Sequence, residues 1–275
     1  GMLGAINFEK NKTVYKFIGG KPELIETKYF IPIDSYSPIT KQRRAVDFAG
    51  CLQLTDDGMK YGCCTCISTA GTAISALYGV MRGRDCYVIN SYEEGRADLF
   101  TPSGKPFSVE IKGKPFENDE PVKIRITLTE REKLKLALRI PEWSEQTTIK
   151  FNGKTVKADC GYYEICEEFS CGDEIEVSLD TRIKAIKKNG KTLLKKCAVV
   201  LARDERYEDG FDDEITVKEQ NNGTVNAIKI VSGKFNAIAE FLIPLENGKS
   251  ITVCDYSSAG KKWDEGKNLR ISAWL

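Results

Sequence analysis

Histidine is absent from this 275-residue chain. That absence excludes Ser-His-Asp and Cys-His nucleophile systems, helical H-E-x-x-H zinc sites and histidine pH switches. Any metal site must draw its ligands from sulfur and oxygen. A charge excess of either sign is also missing, because 41 Lys plus Arg against 40 Asp plus Glu leave a net +1. Such a balance supplies no long-range field for nucleic acid or an anionic membrane, and neither is expected as a partner. No stretch approaches the ~20 apolar residues of a membrane span. The start, Met2-Leu3-Gly4-Ala5-Ile6-Asn7, lacks both a basic n-region and an adequate apolar run. No signal peptide is therefore expected, and the cytoplasm is the expected compartment. A chain this long buries enough surface to fold without covalent staples. Its ten cysteines accordingly read as reduced thiols, mostly small buried hydrophobes.

From about Pro106 onward the pattern is one of short alternating strands. Val122–Leu128, Leu134–Ile140, Thr148–Phe151 and Glu174–Leu179 each alternate apolar with polar residues. That period marks half-buried antiparallel strands with one wet face. Asn152-Gly153, Asn189-Gly190, Asn222-Gly223 and Asn247-Gly248 punctuate the run as hairpin turns. Strands and Asn-Gly turns at this density indicate two β-sandwiches in series. Three of the turns continue with Lys and then Thr or Ser, like the tail of a phosphate-binding loop. The glycine needed five positions earlier is replaced by Thr148, Ala185 and Ile243, so they read as surface hairpins.

The first hundred residues differ. Ser68–Met81 is rich in small residues and reads as one helix, buried on at least one side, with Gly83 as its C-cap. Cys86–Tyr92 reads as the first strand. About sixty residues before the helix show little periodicity, which is unusual for a compact domain. They include Tyr29-Phe30-Ile31-Pro32-Ile33 and the basic run Lys41-Gln42-Arg43-Arg44. Directly before the helix stands Gly62-Cys63-Cys64-Thr65-Cys66. Thiols at a helix N-terminus are favoured as thiolates, and thiolates bind zinc. Adjacent cysteines point in different directions, so two readings stand: buried structural thiols, or a metal or nucleophile site.

Several segments resemble glycoside hydrolase family 127, the β-L-arabinofuranosidase-like proteins. Tyr61-Gly62-Cys63-Cys64 followed by a small-residue helix and Tyr87-Val88-Ile89-Asn90-Ser91-Tyr92 is similar to the family's Cys-Cys segment and its Tyr-Val-Asn-x-Tyr strand. Leu136–Trp143 (LALRIPEW) resembles its "LRIPxW" strand. Phe151-Asn152-Gly153-Lys154 with Gly161–Ile165 resembles its "VNG…GGYxxI" hairpin, and Cys171–Val177 its "xxGDxVxL" strand. Cys197–Arg203 resembles "GPLVLAR", and Ile251–Leu275 is similar to the family's terminal segment with its aromatics thinned out.

The resemblance implies a mainly β architecture: two β-sandwich domains in series, preceded by a short remnant of an α-helical barrel with one helix. The expected divisions are 1–85 for the remnant of the catalytic (α/α) barrel, 86–182 for the first sandwich and 183–275 for the second. It also implies a retaining glycosidase in which a zinc-held thiolate replaces the usual carboxylate nucleophile. Carried over residue by residue, Cys63 is the nucleophile and Cys64 a zinc ligand, with Cys66 a substitute third ligand. Thr65 stands where the family has proline. The family's acid/base glutamate and its Glu-x-Cys ligands lie upstream of the pair, and residues 1–62 contain no Glu-x-Cys. The single Glu-x-Cys, Glu164-Ile165-Cys166, falls in a sandwich strand.

The expected protein is thus the C-terminal portion of a family 127-like enzyme, inactive alone because its acid/base and upstream zinc ligands are missing. Its expected partners are an arabinose-containing glycan and a companion polypeptide that completes the barrel, or further copies of itself. Two alternatives remain: a non-catalytic carbohydrate-binding or scaffolding protein, and a thiolate-zinc glycosidase acting through Cys63. Other features have plainer readings. The acidic run Asp204–Glu214 lacks calcium-loop spacing and reads as a solvated loop. Lys184, Lys187, Lys188, Lys191, Lys195 and Lys196 read as lysines guarding an exposed edge. Trp143 and Trp274 read as packing residues, and Trp263 as a residue of a polar loop.

Overall fold

A computed structural model describes residues 70–71, 73–260 and 270–275 with their side chains. It also gives the strand backbone at 9–18, 21–30, 34–35, 42–46, 52–54, 60–62 and 269. The fold is mainly β, as the alternating patterns require. Two compact units are present: Ile74–Arg182 with Lys196–Ala198, and Gly1–Ala73 with Ile183–Lys195 and Val199–Leu275.

The N-terminal segment carries strands where the sequence shows no clear period. β1 (Glu9–Ile18) and β2 (Lys21–Phe30) pair antiparallel, with Ile18 opposite Lys21. Gly19-Gly20 stands between them in sequence, a dipeptide favoured in two-residue hairpins. β3 (Asp34–Ser35) pairs with β4 (Gln42–Val46), and β5 (Leu52–Leu54) with β6 (Lys60–Gly62). The alternation is hidden because apolar residues of β1 occupy both phases, Val14 and Ile18 on one, Tyr15 and Phe17 on the other.

The expected helix ends earlier than its small-residue composition suggests. Residues 70–71 and 73–77 are helical (α1), and the chain turns at 78–79. Val80 and Met81 then belong to β7 (Val80–Arg82), paired with β8 (Tyr87–Ile89). A short apolar run reads equally well as helix or strand, and here cross-strand pairing decides. Gly83 is accordingly no C-cap. Its N–H donates to Cys86 O at 2.8 Å, closing the β7–β8 connection, and a Cβ there would lie 2.9 Å from Cys86 Sγ. The helix is not buried on its apolar side: Ile74, Leu77 and Tyr78 are 49%, 74% and 56% exposed.

β7 to β16 form a sandwich. The remaining strands are β9 (Gly95–Phe100), β10 (Pro106–Lys112), β11 (Val122–Leu128), β12 (Glu132–Ile140), β13 (Thr147–Phe151), β14 (Lys154–Ala158), β15 (Gly161–Phe169) and β16 (Glu174–Ser178). A six-stranded sheet runs β14-β13-β16-β11-β10-β9, and a four-stranded sheet β15-β12-β8-β7. The β8–β12 pair is parallel. β11 alternates buried and exposed at every position, which is the period-two expectation in full. Its Val122, Ile124 and Ile126 are wholly buried together with Leu136 and Leu138 of the facing sheet. Two aromatic pairs join the layers: Tyr87 meets Phe107 edge-on at 4.8 Å, and Phe151 stacks on Phe169 at 5.0 Å.

In the other unit β17 (Ile183–Lys188), β18 (Lys191–Lys196), β19 (Val199–Asp204), β20 (Thr224–Val225), β21 (Ile228–Ile230), β22 (Glu240–Pro244), β23 (Ser250–Asp255) and β24 (Leu269–Ser272) form a branched sheet. β19 is shared, with Leu201 and Ala202 registered on β23 and Arg203 and Asp204 on β24. A strand shared in this way turns a sheet through a sandwich corner. β24 pairs in turn with β4, placing Arg44 opposite Leu269.

The Asn-Gly turns divide into two kinds. Asn152-Gly153 and Asn189-Gly190 have positive φ at both residues, the two-residue turn that suits strand twist. At Asn247-Gly248 and Asn222-Gly223 only the glycine has positive φ. There the asparagine Oδ1 accepts the N–H two residues on, from Lys249 at 3.0 Å and Thr224 at 3.1 Å, as in an Asx turn.

The acidic run is the expected solvated loop only in part: Glu208, Asp212, Asp213 and Glu214 are exposed, while its other carboxylates are held from within. Arg203, 1% exposed, donates to Gly210 O at 2.7 Å, Phe211 O at 3.2 Å and Asp209 Oδ1 at 3.2 Å. Arg206 binds buried Asp204 through Nε at 2.8 Å, and Gly260 N–H reaches the same carboxylate at 2.6 Å. Arg270 bridges Glu205 and Asp212, each at 2.8 Å. Arginines from inside and far outside the run thus hold Asp204, Glu205 and Asp209 inward. The lysine cluster also has one inward member: buried Lys196 pairs with Asp119 and donates to Thr181 O at 2.7 Å.

Ile126→Ala should cost about 2–5 kcal/mol, because a fully buried side chain leaves a cavity in a packed layer. Thr127→Ala, one residue along on the wet face, should change stability by no more than about 0.5 kcal/mol. Urea unfolding of the two variants checks the assignment of faces.

Candidate functional site

Cys63, Cys64 and Cys66, the sequence candidates for nucleophile and zinc ligands, lie outside the described residues, as do Cys51 and Trp263. What the structure does describe is the junction through which the following helix enters the sandwich. Gly79 O accepts from Asn90 N–H at 2.8 Å and Ser91 N–H at 3.3 Å. The turn that ends α1 is thereby fastened to the end of β8. A Cβ at Gly79 would sit 3.4 Å from Ser91 Oγ, so the approach leaves little room.

Three sequence segments converge on that junction. Tyr92 Oη donates to Arg139 O at 2.7 Å, and Arg139 Nη1 reaches back toward Asn90 O at 3.5 Å. Tyr162 Oη donates to Asn90 Oδ1 at 2.9 Å. Asn90 and Tyr92 follow β8, Arg139 belongs to β12 and Tyr162 to β15, whose register places Arg139 directly opposite Tyr162. Burial pushes the Tyr92 phenol well above its ordinary value, only partly offset by the Arg139 charge. These four are among the polar residues of the "YVINSY", "LRIPEW" and "GYYEI" segments. The motifs were visible in sequence, but their meeting point was not.

Glu164-Ile165-Cys166 behaves as a strand segment should. Glu164 and Cys166 are exposed on one face and Ile165 is buried on the other. Glu164 pairs with Lys135 at 3.1 Å. Among the described residues no group of three or more Cys, Asp or Glu side chains is placed to hold a metal ion. The described cysteines are free thiols, and only Cys197 and Cys254 are buried. The expectation of mostly buried thiols therefore does not hold there, because Cys160, Cys166 and Cys171 are exposed. Burial pushes the Cys197 thiol up to about 11 against the opposing pull of Lys196, and Asp119 and Asp180 add to the rise. Such a thiol is inert at neutral pH. Trp274 packs partly buried against the Ala202–Tyr207–Cys254 cluster, the packing role read for it.

Comparison with known proteins bears on the unit that holds this junction. Residues 88–181 match the β-L-arabinofuranosidase GH127 middle domain. The chain resembles the C-terminal portion of GH127 proteins. Among solved structures, a GH127 β-L-arabinofuranosidase from Geobacillus stearothermophilus T6 is similar at 15% identity and a TM-score of 0.59, over 77% of this chain and 37% of that one. A GH127 β-arabinofuranosidase aligns at 18% identity and a TM-score of 0.58, over 90% of this chain and 42% of that one. At these identities the likeness is one of fold. This chain spans about two fifths of the length of those GH127 structures. No curated protein matches it.

Tyr92→Phe removes the hydrogen bond to Arg139 O and should cost about 0.5–1.5 kcal/mol. The raised Tyr92 value also has a pH signature. The native state keeps this phenol protonated where the unfolded chain releases it, so stability should fall as pH rises above about 10. Denaturant unfolding at successive alkaline pH values should show a shallower fall in Tyr92→Phe than in the parent.

Proposed function

We propose that this chain is the C-terminal portion of a GH127-type, β-L-arabinofuranosidase-like protein. In this reading its two sandwiches carry and position a thiolate segment for a catalytic barrel. The observation that carries the proposal is the junction of Asn90, Tyr92, Arg139 and Tyr162. It lies in the stretch that matches the GH127 middle domain and fastens the helix that follows the cysteine cluster. The substrate class is an arabinose-containing glycan. Cys63 is the nucleophile. Its thiolate attacks the anomeric carbon as the glycosidic C–O bond breaks and the departing alcohol takes a proton from the acid/base. Water, deprotonated by the same group, then displaces the thiolate with net retention.

Three thiols form a soft donor set that suits zinc. Zinc, when bound, would be held by Cys63, Cys64 and Cys66 and would keep the Cys63 sulfur ionised. The acid/base and the remaining ligands come from polypeptide outside these 275 residues, so the chain alone is inactive and works with a companion barrel. Ile74, Leu77 and Tyr78, exposed on and just after α1, are the apolar groups such a barrel would cover. No described helix is long and apolar enough to cross a membrane, and a cytoplasmic location is part of the proposal.

An aryl β-L-arabinofuranoside incubated with the isolated chain should release phenol no faster than buffer does. Release above that background would overturn the claim of inactivity. Metal analysis tests the ligand set separately: zinc that copurifies with the chain should drop in Cys63→Ala and Cys64→Ala. An unchanged zinc content would remove these thiols as ligands.

A further inference from the structure

A concave site lies in the sandwich of residues 74–182, built where the parallel strands β8 and β12 begin. It is a cleft of about 340 Å³, lined among others by Arg82, Arg84, Lys133, Lys135, Leu134 and Pro102. That volume falls in the range that takes a small ligand. Its distinguishing feature is charge. Four cations line it, and Asp85 is the one carboxylate among the lining residues.

Asp85 is already engaged, since Lys135 lies 3.7 Å from it and 3.1 Å from Glu164. Carboxylates nearby are committed elsewhere as well. Glu132 accepts from Ser103 Oγ at 2.7 Å, Glu168 pairs with Arg131 at 2.9 Å and Glu130 with Lys105. Among the described residues Arg82, Arg84 and Lys133 have no acidic partner. In a chain of net charge +1, four cations against one carboxylate around one concavity leave a local positive excess. Concave walls focus its field on whatever enters.

The backbone holds the cations in place. Gly83 N–H donates to Cys86 O at 2.8 Å, drawing the 82–87 connection tight and leaving no room for a Cβ at Gly83. Arg82 and Arg84 flank that glycine. Lys133 and Lys135 are two apart on β12, so strand geometry sends them to the same face. Arg presents a planar fork that matches a carboxylate or sulfate, and Lys adds a point charge. The exposed Pro102 ring supplies apolar surface of the kind that packs against the C–H face of a sugar.

We infer that this cleft binds a saccharide bearing an acidic group, either carboxylate or sulfate. The inference rests on the carbohydrate reading above and adds an anion-selective subsite that uses none of Cys63, Cys64 and Cys66. The confined shape suits a sugar residue better than an extended polyanion, which would need a longer positive track.

The test is calorimetric titration of the 275-residue chain with a uronic-acid trisaccharide, a sulfated disaccharide, a neutral arabinotriose and a short DNA duplex. Binding of either acidic sugar more tightly than the neutral one, weakened by added salt, supports the inference, and the tighter of the two identifies the acidic group. Arg84→Gln and Lys133→Gln should each weaken that binding roughly tenfold. Lys157→Gln, on exposed β14, should leave it unchanged, with circular dichroism confirming that each variant folds. Acidic-sugar binding that survives both cleft substitutions overturns the assignment, as does tighter binding of the duplex. Binding of the neutral sugar without preference for the acidic ones overturns the anion subsite and leaves the carbohydrate reading standing. Binding of no sugar counts against both.

Discussion

The hydrogen bonds around Asn90 are the constraint on which the functional reading depends. A helix that leaves a cysteine-rich segment must enter the sandwich at a fixed point, or thiols upstream of it have no defined position. Gly79 O, Asn90, Tyr92, Arg139 and Tyr162 provide that point. They link one turn and three strands of the four-stranded sheet, and each contact pairs a side chain or N–H with a backbone or amide oxygen. The network can anchor a neighbouring site only because the core beneath it is rigid. Ile89, Leu136, Leu138 and Ile140 are essentially unexposed, so the strands that carry the polar groups cannot shift independently.

The second unit adds buried charge to its apolar core. Its β19 corner is held by Arg203, Arg206 and Arg270 against Asp204, Asp209, Glu205 and Asp212. A buried arginine is tolerable only when its donors are met, and Arg203 meets most of them with carbonyls of the same loop, leaving Nε alone without a partner. Aromatic faces complete the cage: Arg206 lies 3.5 Å from the centre of the Phe235 ring, and Arg270 lies 4.9 Å from that of Phe211. The acidic run that resembles a cation loop in composition is in this way spent on folding. Five of its carboxylates, Asp204, Glu205, Glu208, Asp209 and Asp212, are paired with cations of the chain itself, which is a physical reason against calcium there.

Much of the sandwich of residues 74–182 was legible in the sequence. β11 and β12 follow from alternation alone, and Asn152-Gly153 names its own hairpin. The helix end was not legible, because Val80 and Met81 satisfy a helical and an extended reading equally until β8 pairs with them. The acidic run misled for a related reason: Arg270 lies 65 residues from Glu205, beyond any local window. The cleft of Arg82, Arg84 and Lys133 was invisible for the same reason, since its walls come from segments about fifty residues apart that only sheet pairing brings together. Cys63, Cys64 and Cys66 stood out in the sequence as candidate thiol ligands, and they lie outside the described residues.

The sequence by itself determined the strand faces, the hairpin positions and the exclusion of imidazole chemistry, because each depends on residue type at short range. It also determined the likeness to GH127, because motif order survives without coordinates. Tertiary structure alone decided which charges are consumed and which are left over. Whether a carboxylate meets an arginine or an arginine faces a cleft unopposed depends on contacts between residues distant in the chain, and local pattern carries no record of them.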